Sequence, residues 1–296
     1  MLSPILPQIF FTQGSIQGCN MIKIIKRLWK HPIGKAGLIA TAFNLFLFCF
    51  GPYITPFDPE EFHSSQRLLG PNATFWLGTD EFGRDILSRI LVGARATIGF
   101  GILATAIGTA VGSAIGITSG YLGGWVDEIV MRIVDAFVAI PNLLLSMLIV
   151  IAIGVSTENA ILAIAIAFAP SIARVARSTT LSVKQLDYVK AAMARGDTTA
   201  YIVFREVTPN VIAPVIVEGT IRISFAIMLG ATLSYLGLGA QPPASDWGLM
   251  VSEARQYLFR NPWLVIWPGL GIAIVSIGFN LLGDGLRDVL NPRSHH

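Results

Sequence analysis

The chain has 296 residues, 53% of them hydrophobic and 13% charged, with a net charge of +3. A soluble domain carries roughly a quarter charged residues, so this composition excludes an ordinary water-soluble fold, which would lack a polar surface. The basic balance, with an isoelectric point near 9.0, comes without a basic stripe interleaved with aromatics, which excludes a nucleic-acid partner.

The first 20 residues lack the positive n-region, apolar run and small-residue cleavage site of a signal peptide and are expected to form an unstructured leader. Met21 opens a Lys-rich segment that reads like a natural beginning, leaving Met1 and Met21 as alternative starts. A span of the hydrocarbon layer needs about 20 apolar residues of helix. Blocks of that kind fall at about 36–56, 97–119, 129–153, 158–176, 211–235 and 264–284. The predicted fold is therefore an all-α membrane protein with about six transmembrane helices: segment 1–35 is a cytoplasmic N-terminal segment and 36–290 the transmembrane domain. With the N-terminus inside, the cytoplasmic segments hold most of the Lys and Arg, among them Lys23, Lys26, Arg27, Lys30, Arg174, Arg177, Lys184, Lys190, Arg195, Arg287 and Arg293. By the positive-inside rule both termini are then cytoplasmic.

The outer loop at about 57–96 places Asp80 four residues before Arg84, and Asp85 four before Arg89, beside an apolar set of Ile86, Leu87, Ile90 and Leu91. That spacing predicts a short amphipathic helix with two ion pairs. The second block carries Gly108, Gly112, Gly116 and Gly120 at four-residue spacing, a small-residue stripe for close helix packing. Asp127, Glu128 and Asp135 are expected to pair with Arg132 near the third block's inner end. Pro141 and Pro170 predict kinks in the third and fourth blocks. In the fifth block Arg222 lies one turn after Glu218; the two either neutralise each other or line a translocation path, since intramembrane charges face a cavity or a partner. Trp263 and Trp267 are expected interface anchors of the sixth. Cys19 and Cys49 have no metal or disulfide spacing, and His31, His63, His295 and His296 are scattered, so no metal site is expected.

The loop at about 177–210 is the most informative stretch. It reads as a helix, a break at Gly196 and a second helix. Within it Tyr188-Val189-Lys190-Ala191-Ala192-Met193 leads to Gly196, with Ala192 and Gly196 on one face as a small, apolar docking surface. Gly196 alternatively just ends the first helix.

The pattern Tyr188-Val189-Lys190-Ala191-Ala192, then Gly196, then Pro209-Asn210 resembles the loop by which permease subunits of bacterial binding-protein-dependent ABC importers engage their ATPase subunits. Leu77-Gly78-Thr79-Asp80 with Gly83-Arg84-Asp85 and Ser88-Arg89, then Leu233-Ser234-Tyr235-Leu236-Gly237-Leu238-Gly239 with Trp247-Gly248, then Leu282-Gly283-Asp284-Gly285-Leu286-Arg287-Asp288, are similar to the oligopeptide/dipeptide/nickel branch of those permeases. The resemblance spans nearly the whole chain from Met21. Two positions depart from it: Lys190 stands where Glu is usual, and Glu206 where the branch often has His.

The resemblance implies a type I ABC importer permease in a bacterial cytoplasmic membrane. Its implied partners are two ATPase subunits, a second homologous permease, an extracytoplasmic solute-binding protein and membrane lipid. It implies Tyr188, Val189, Lys190, Ala191, Ala192, Met193 and Gly196 as the ATPase-coupling residues. ATP is used by the partner subunits, and no cofactor is bound by this chain: it has no Gly-x-x-x-x-Gly-Lys-Ser/Thr loop to cradle phosphates. The expected cargo is peptides, with nickel or glutathione as alternatives. A secondary transporter driven by an ion gradient would leave the docking loop unexplained and would show repeat halves, of which there is no sign. A membrane-embedded enzyme would need a catalytic pair at helical spacing within a block, and none is present.

Overall fold

The computed structural model describes residues 21–290; the leader up to Asn20 with Cys19, together with Arg293, His295 and His296, lies outside the described residues. Those residues form eleven α-helices in chain order. α1 (Met21–Lys30) and α2 (Pro32–Phe50) meet at His31, where Pro32 opens the second helix at a position whose missing N–H costs nothing. A largely non-helical outer loop leads to α3 (Ile86–Leu122), α4 (Gly124–Val138), α5 (Asn142–Ile153) and α6 (Thr157–Lys184). Then follow α7 (Asp187–Ala194), the single turn α8 (Thr199–Tyr201), a π-helical stretch Ile202–Val207, α9 (Thr208–Tyr235), α10 (Trp247–Ala254) and α11 (Trp263–Leu290).

Five helical segments are long and apolar enough to cross a membrane, and α4 with α5 makes a sixth if that pair, bent by 93°, is one span. The kink expected at Pro141 in the block at 129–153 is a full break: the helix stops at Val138 and restarts at Asn142. Pro141 has no N–H to give and disfavours helical backbone at Ile140 before it. Pro170, by contrast, sits buried inside an unbroken α6.

The short outer helix expected over 80–91 is corrected. Residues 80–85 form a turn, closed by an isolated bridge between Thr79 and Asp85, because Gly78 (φ 89°) and Gly83 (φ 81°) take left-handed backbone that no right-handed helix accommodates. The helix begins only at Ile86, and Asp85 caps it by accepting from Ser88 N (2.8 Å) and Ser88 Oγ (2.6 Å) rather than pairing with Arg89. The loop at 177–210 has the expected order of helix, break at Gly196 and second helix: α7 precedes the break, and α8 opens a helix that runs through the π-helical stretch into α9, while α6 extends into the loop as far as Lys184.

Packing explains the glycine stripe. α3 and α6 lie side by side, and a Cβ added at Gly108 would stand 2.9 Å from Ala165 O, at Gly120 3.2 Å from Arg177 O, and at Gly112 and Gly116 upon Ala169 O and Ala173 O. The four glycines thus match four carbonyls at the same four-residue spacing, which lets the backbones touch. The buried side chains form two apolar cores. One joins α3, α5, α6, α7 and α9 around Phe168, Ile164 and Ile172. The other joins α3, α9, α10 and α11 around Trp247, Ile98 and Phe279. Thr41 on α2 donates to Gly278 O (3.2 Å), tying α2 to α11.

Candidate functional site

α7 is positioned from both ends. At its C-terminus Asp197 N donates to Ala192 O (3.2 Å) and Gly196 N to Met193 O (3.0 Å), the paired bonds of a Schellman cap, with Gly196 at φ 79°. Nothing lies within 4 Å of a Cβ added there, so within this chain Gly196 is required for its backbone conformation and not for close approach. The segment divides by face. Val189 and Ala192 are fully buried in the core shared with α6 and the π-helical stretch, so Ala192 does not share an exposed docking face with Gly196, as the four-residue spacing suggested. Tyr188 is half-buried, and burial pushes its phenol up, with Glu206 adding to the rise. Lys190, Ala191, Met193 and Gly196 are exposed. Lys190 reaches only Asp187, at 3.8 Å on the surface, a pair worth little.

Sequence reasoning missed Phe204 and Tyr201. Phe204 is 76% exposed on the π-helical stretch and Tyr201 precedes it, exposed as well. The available signal was an aromatic between Val203 and Arg205 in a stretch whose inward positions are Ile202 and Val207.

Asp127 and Asp135 of α4 find partners on α6, not on Arg132. Asp127 Oδ1 accepts from Arg177 Nε (2.6 Å), and Asp135 Oδ1 from Arg174 Nη2 (2.6 Å). Inside the fifth span Glu218 and Arg222 do pair: Nε lies 2.9 Å and Nη2 2.8 Å from the one oxygen Oε1. The guanidinium also sits 5.4 Å from the centroid of the Phe168 ring on α6, within cation–π range. Trp263 and Trp267 stack at 5.3 Å in the first turns of α11.

The outer end holds a buried charge cluster. Asp80 Oδ2 accepts from Arg84 Nε (2.6 Å) and Arg89 Nη1 (2.7 Å), while Glu253 of α10 approaches both arginines at 3.5 and 3.3 Å. Asp246 caps α10, accepting from Leu249 N and from Thr97 Oγ1, each at 3.1 Å. Burial pushes its carboxyl up, against those bonds. Asp246→Asn, which keeps the cap without the charge, is therefore expected to change the thermal midpoint of the purified protein little. Asp246→Ala should cost about 1–2 kcal/mol through the lost cap. An Asn variant as damaged as the Ala variant would show that the charge is needed.

Comparison with known proteins places this geometry. Residues 112–296 match the family described as binding-protein-dependent transport system inner membrane component, and residues 21–71 the N-terminal TM domain of oligopeptide transport permease C. The dipeptide transport system permease protein DppC of Alkalihalophilus pseudofirmus is 41% identical over 268 residues, 90% of this chain and 88% of that one. The probable D,D-dipeptide transport system permease protein DdpC of Escherichia coli is 40% identical over 93% of this chain and 92% of its own. The glutathione transport system permease protein GsiD of Pectobacterium atrosepticum is 40% identical over 90% and 88%. Among solved structures, the inward-facing MetNI methionine ABC transporter matches with a TM-score of 0.57 at 19% identity, over 69% of this chain and 97% of that one, a likeness of fold. The chain belongs to the binding-protein-dependent transport system inner membrane components and is a membrane-spanning permease subunit of an ABC importer.

Proposed function

We propose that this permease moves short peptides across a bacterial cytoplasmic membrane, driven through α7 by two ATPase subunits beneath it. The assembly also includes a second, similar permease and an extracytoplasmic solute-binding protein; the chain itself binds no cofactor. Both termini are cytoplasmic in this reading, which puts α7 on the side of the ATP. The peptide assignment rests on relatives named for dipeptide and glutathione transport, a tripeptide-like cargo included.

The observation that carries the coupling role is the two-sided character of α7. Its inner face, Val189 and Ala192, is fixed in the core that reaches α9, so a push on the outer face is transmitted to a membrane span. That outer face offers Ala191 and Met193, with Phe204 beyond them as an exposed apolar anchor. A small helix with an apolar outer face is what a partner groove accepts.

Gly196 is a poor probe of docking, because a side chain there strains the cap itself. Met193→Asp and Phe204→Asp are better, since both residues are exposed and their loss costs the fold little. Each is expected to leave the amount of folded permease near wild type while reducing co-purified ATPase subunits and transport at least tenfold. Normal ATPase association per folded molecule in both variants would reject the assignment.

A further inference from the structure

We propose that the Glu218–Arg222 pair is an exchangeable ion pair that receives the two charged ends of a short peptide in transit, Arg222 taking the α-carboxylate and Glu218 the α-ammonium. The proposal rests on the peptide reading above and names the residues that would carry it.

Two independent observations converge on one place. The first is the pair itself, inside a spanning helix with side chains 20% and 26% exposed. Charges at such depth face a cavity or a protein partner, not lipid. The second is the break between α4 and α5. Irregular backbone at membrane depth is tolerated where it is buried in protein or lines a water-filled cavity, and α5 restarts at Asn142 with no side-chain cap on its first N–H groups. Asn142, Phe168, Ile221, Phe225, Glu218 and Arg222 line one cleft of about 350 Å³, within the range of small-molecule sites.

The chemistry of the cleft selects its guest. Its net charge is zero, so a lone anion or cation would leave one member of the pair stranded in a poorly solvated site. A zwitterion replaces each partner with an equivalent one, so both protein charges stay compensated throughout. The existing pair engages only Oε1 of Glu218, with Nε and Nη2 of Arg222. Oε2 and Nη1 make no hydrogen bond to the described residues, so a second carboxylate and an ammonium can be engaged before the internal bonds open. Apart from the uncharged Asn142, the remaining walls, Phe168, Ile221, Phe225 and Leu229, are apolar. They offer no charge to discriminate side chains, which suits a path that reads the ends of a peptide and leaves side-chain choice to the binding protein.

The test is uptake by the complete transporter, with its binding protein, of dialanine, N-acetyl-dialanine and dialanine amide. Each variant is read as a ratio to wild type for the same compound, so discrimination by the binding protein cancels. Arg222→Gln is expected to lower the ratio about tenfold or more for the two compounds with a free carboxylate and to spare the amide. Glu218→Gln should do the reverse, lowering dialanine and its amide and sparing the N-acetyl compound. Bonds to charged groups are strong enough for effects of that size. If the single variants fold poorly, Glu218→Gln/Arg222→Gln, a neutral pair that keeps a hydrogen bond, is used and should lose uptake of all three end-charged compounds at normal protein levels. Ratios near one for every compound, or an equal loss for all three in both single variants, would overturn the end-recognition role while leaving peptide transport intact. A wild-type complex that moves no peptide but another solute would overturn both readings.

Discussion

Asp80→Ala is expected to remove most of the folded permease. One carboxylate oxygen, Oδ2, holds both Arg84 and Arg89, whose side chains are 3% and 2% exposed. Its other oxygen accepts from the backbone N–H groups of Phe82 and Arg84, each at 2.9 Å. Removing it leaves two buried guanidinium groups to share Glu253, which lies at 3.3 Å or more from each, and unties the turn that leads into α3. Breaking a buried pair by deleting one partner costs about 3–5 kcal/mol, a large part of the total stability of a folded chain. Asp80→Asn keeps an acceptor for the two N–H groups but not the charge, and should fall between the Ala variant and wild type. Glu60→Ala, at an exposed position of the same loop, is the control and should be silent. The measurement is the yield of monodisperse permease in detergent together with its thermal midpoint; an Asp80→Ala protein matching wild type in both would show that the cluster contributes nothing.

That cluster also marks where reading the sequence stops. Asp80 with Arg84 is visible as a four-residue pair, and the structure keeps the pair while discarding the helix that the spacing implied. The glycines at 78 and 83 force a turn in which the two side chains meet by another route. Glu253 is invisible to local reasoning because it lies 169 residues from Arg84. The same holds for α4, where Asp127 and Asp135 pair across to α6 and not to the nearer Arg132: an arginine on a neighbouring helix competes on equal terms once packing has brought it close. The Glu218–Arg222 pair was legible because both members sit on one helix, one turn apart. Five of the apolar blocks read from hydropathy fall on long apolar helices and the third on the bent pair α4 and α5, since a span's composition is set by its length in lipid and not by tertiary contacts. Helix ends were less legible. α3 begins well before the apolar block it contains, because its first turns are covered by the outer loop and α10 and tolerate Ser88 and Arg89 there.

Gly116→Leu should separate α3 from α6 and prevent assembly of the permease. A Cβ at Gly116 would fall upon Ala173 O and stand 2.9 Å from the Cβ of Ala176, so even the first added carbon has no room and the rest of a leucine side chain less. Overpacking a well-fitted core costs about 1–3 kcal/mol and occasionally more, and the higher figure applies here because the obstacle is a carbonyl in the middle of a helix, which cannot swing aside as a flexible side chain would. The helices would have to move apart along the whole stripe, losing contact at Gly108, Gly112 and Gly120 as well. In a membrane that contact is not replaced by hydrophobic gain, since lipid tails are as apolar as the partner helix. The nature of the obstacle gives a specific control: Ala173→Gly removes a methyl group but not the carbonyl, so it should fail to rescue Gly116→Leu. Gly269→Ala, in α11 with nothing within 4 Å of the added carbon, should instead be neutral or stabilise by about 0.4–1 kcal/mol through reduced freedom of the unfolded chain. Membrane-inserted yield and thermal midpoint decide between these outcomes. Rescue of Gly116→Leu by Ala173→Gly would mean that the contact is made by side chains and that the stripe is not a backbone-to-backbone seam.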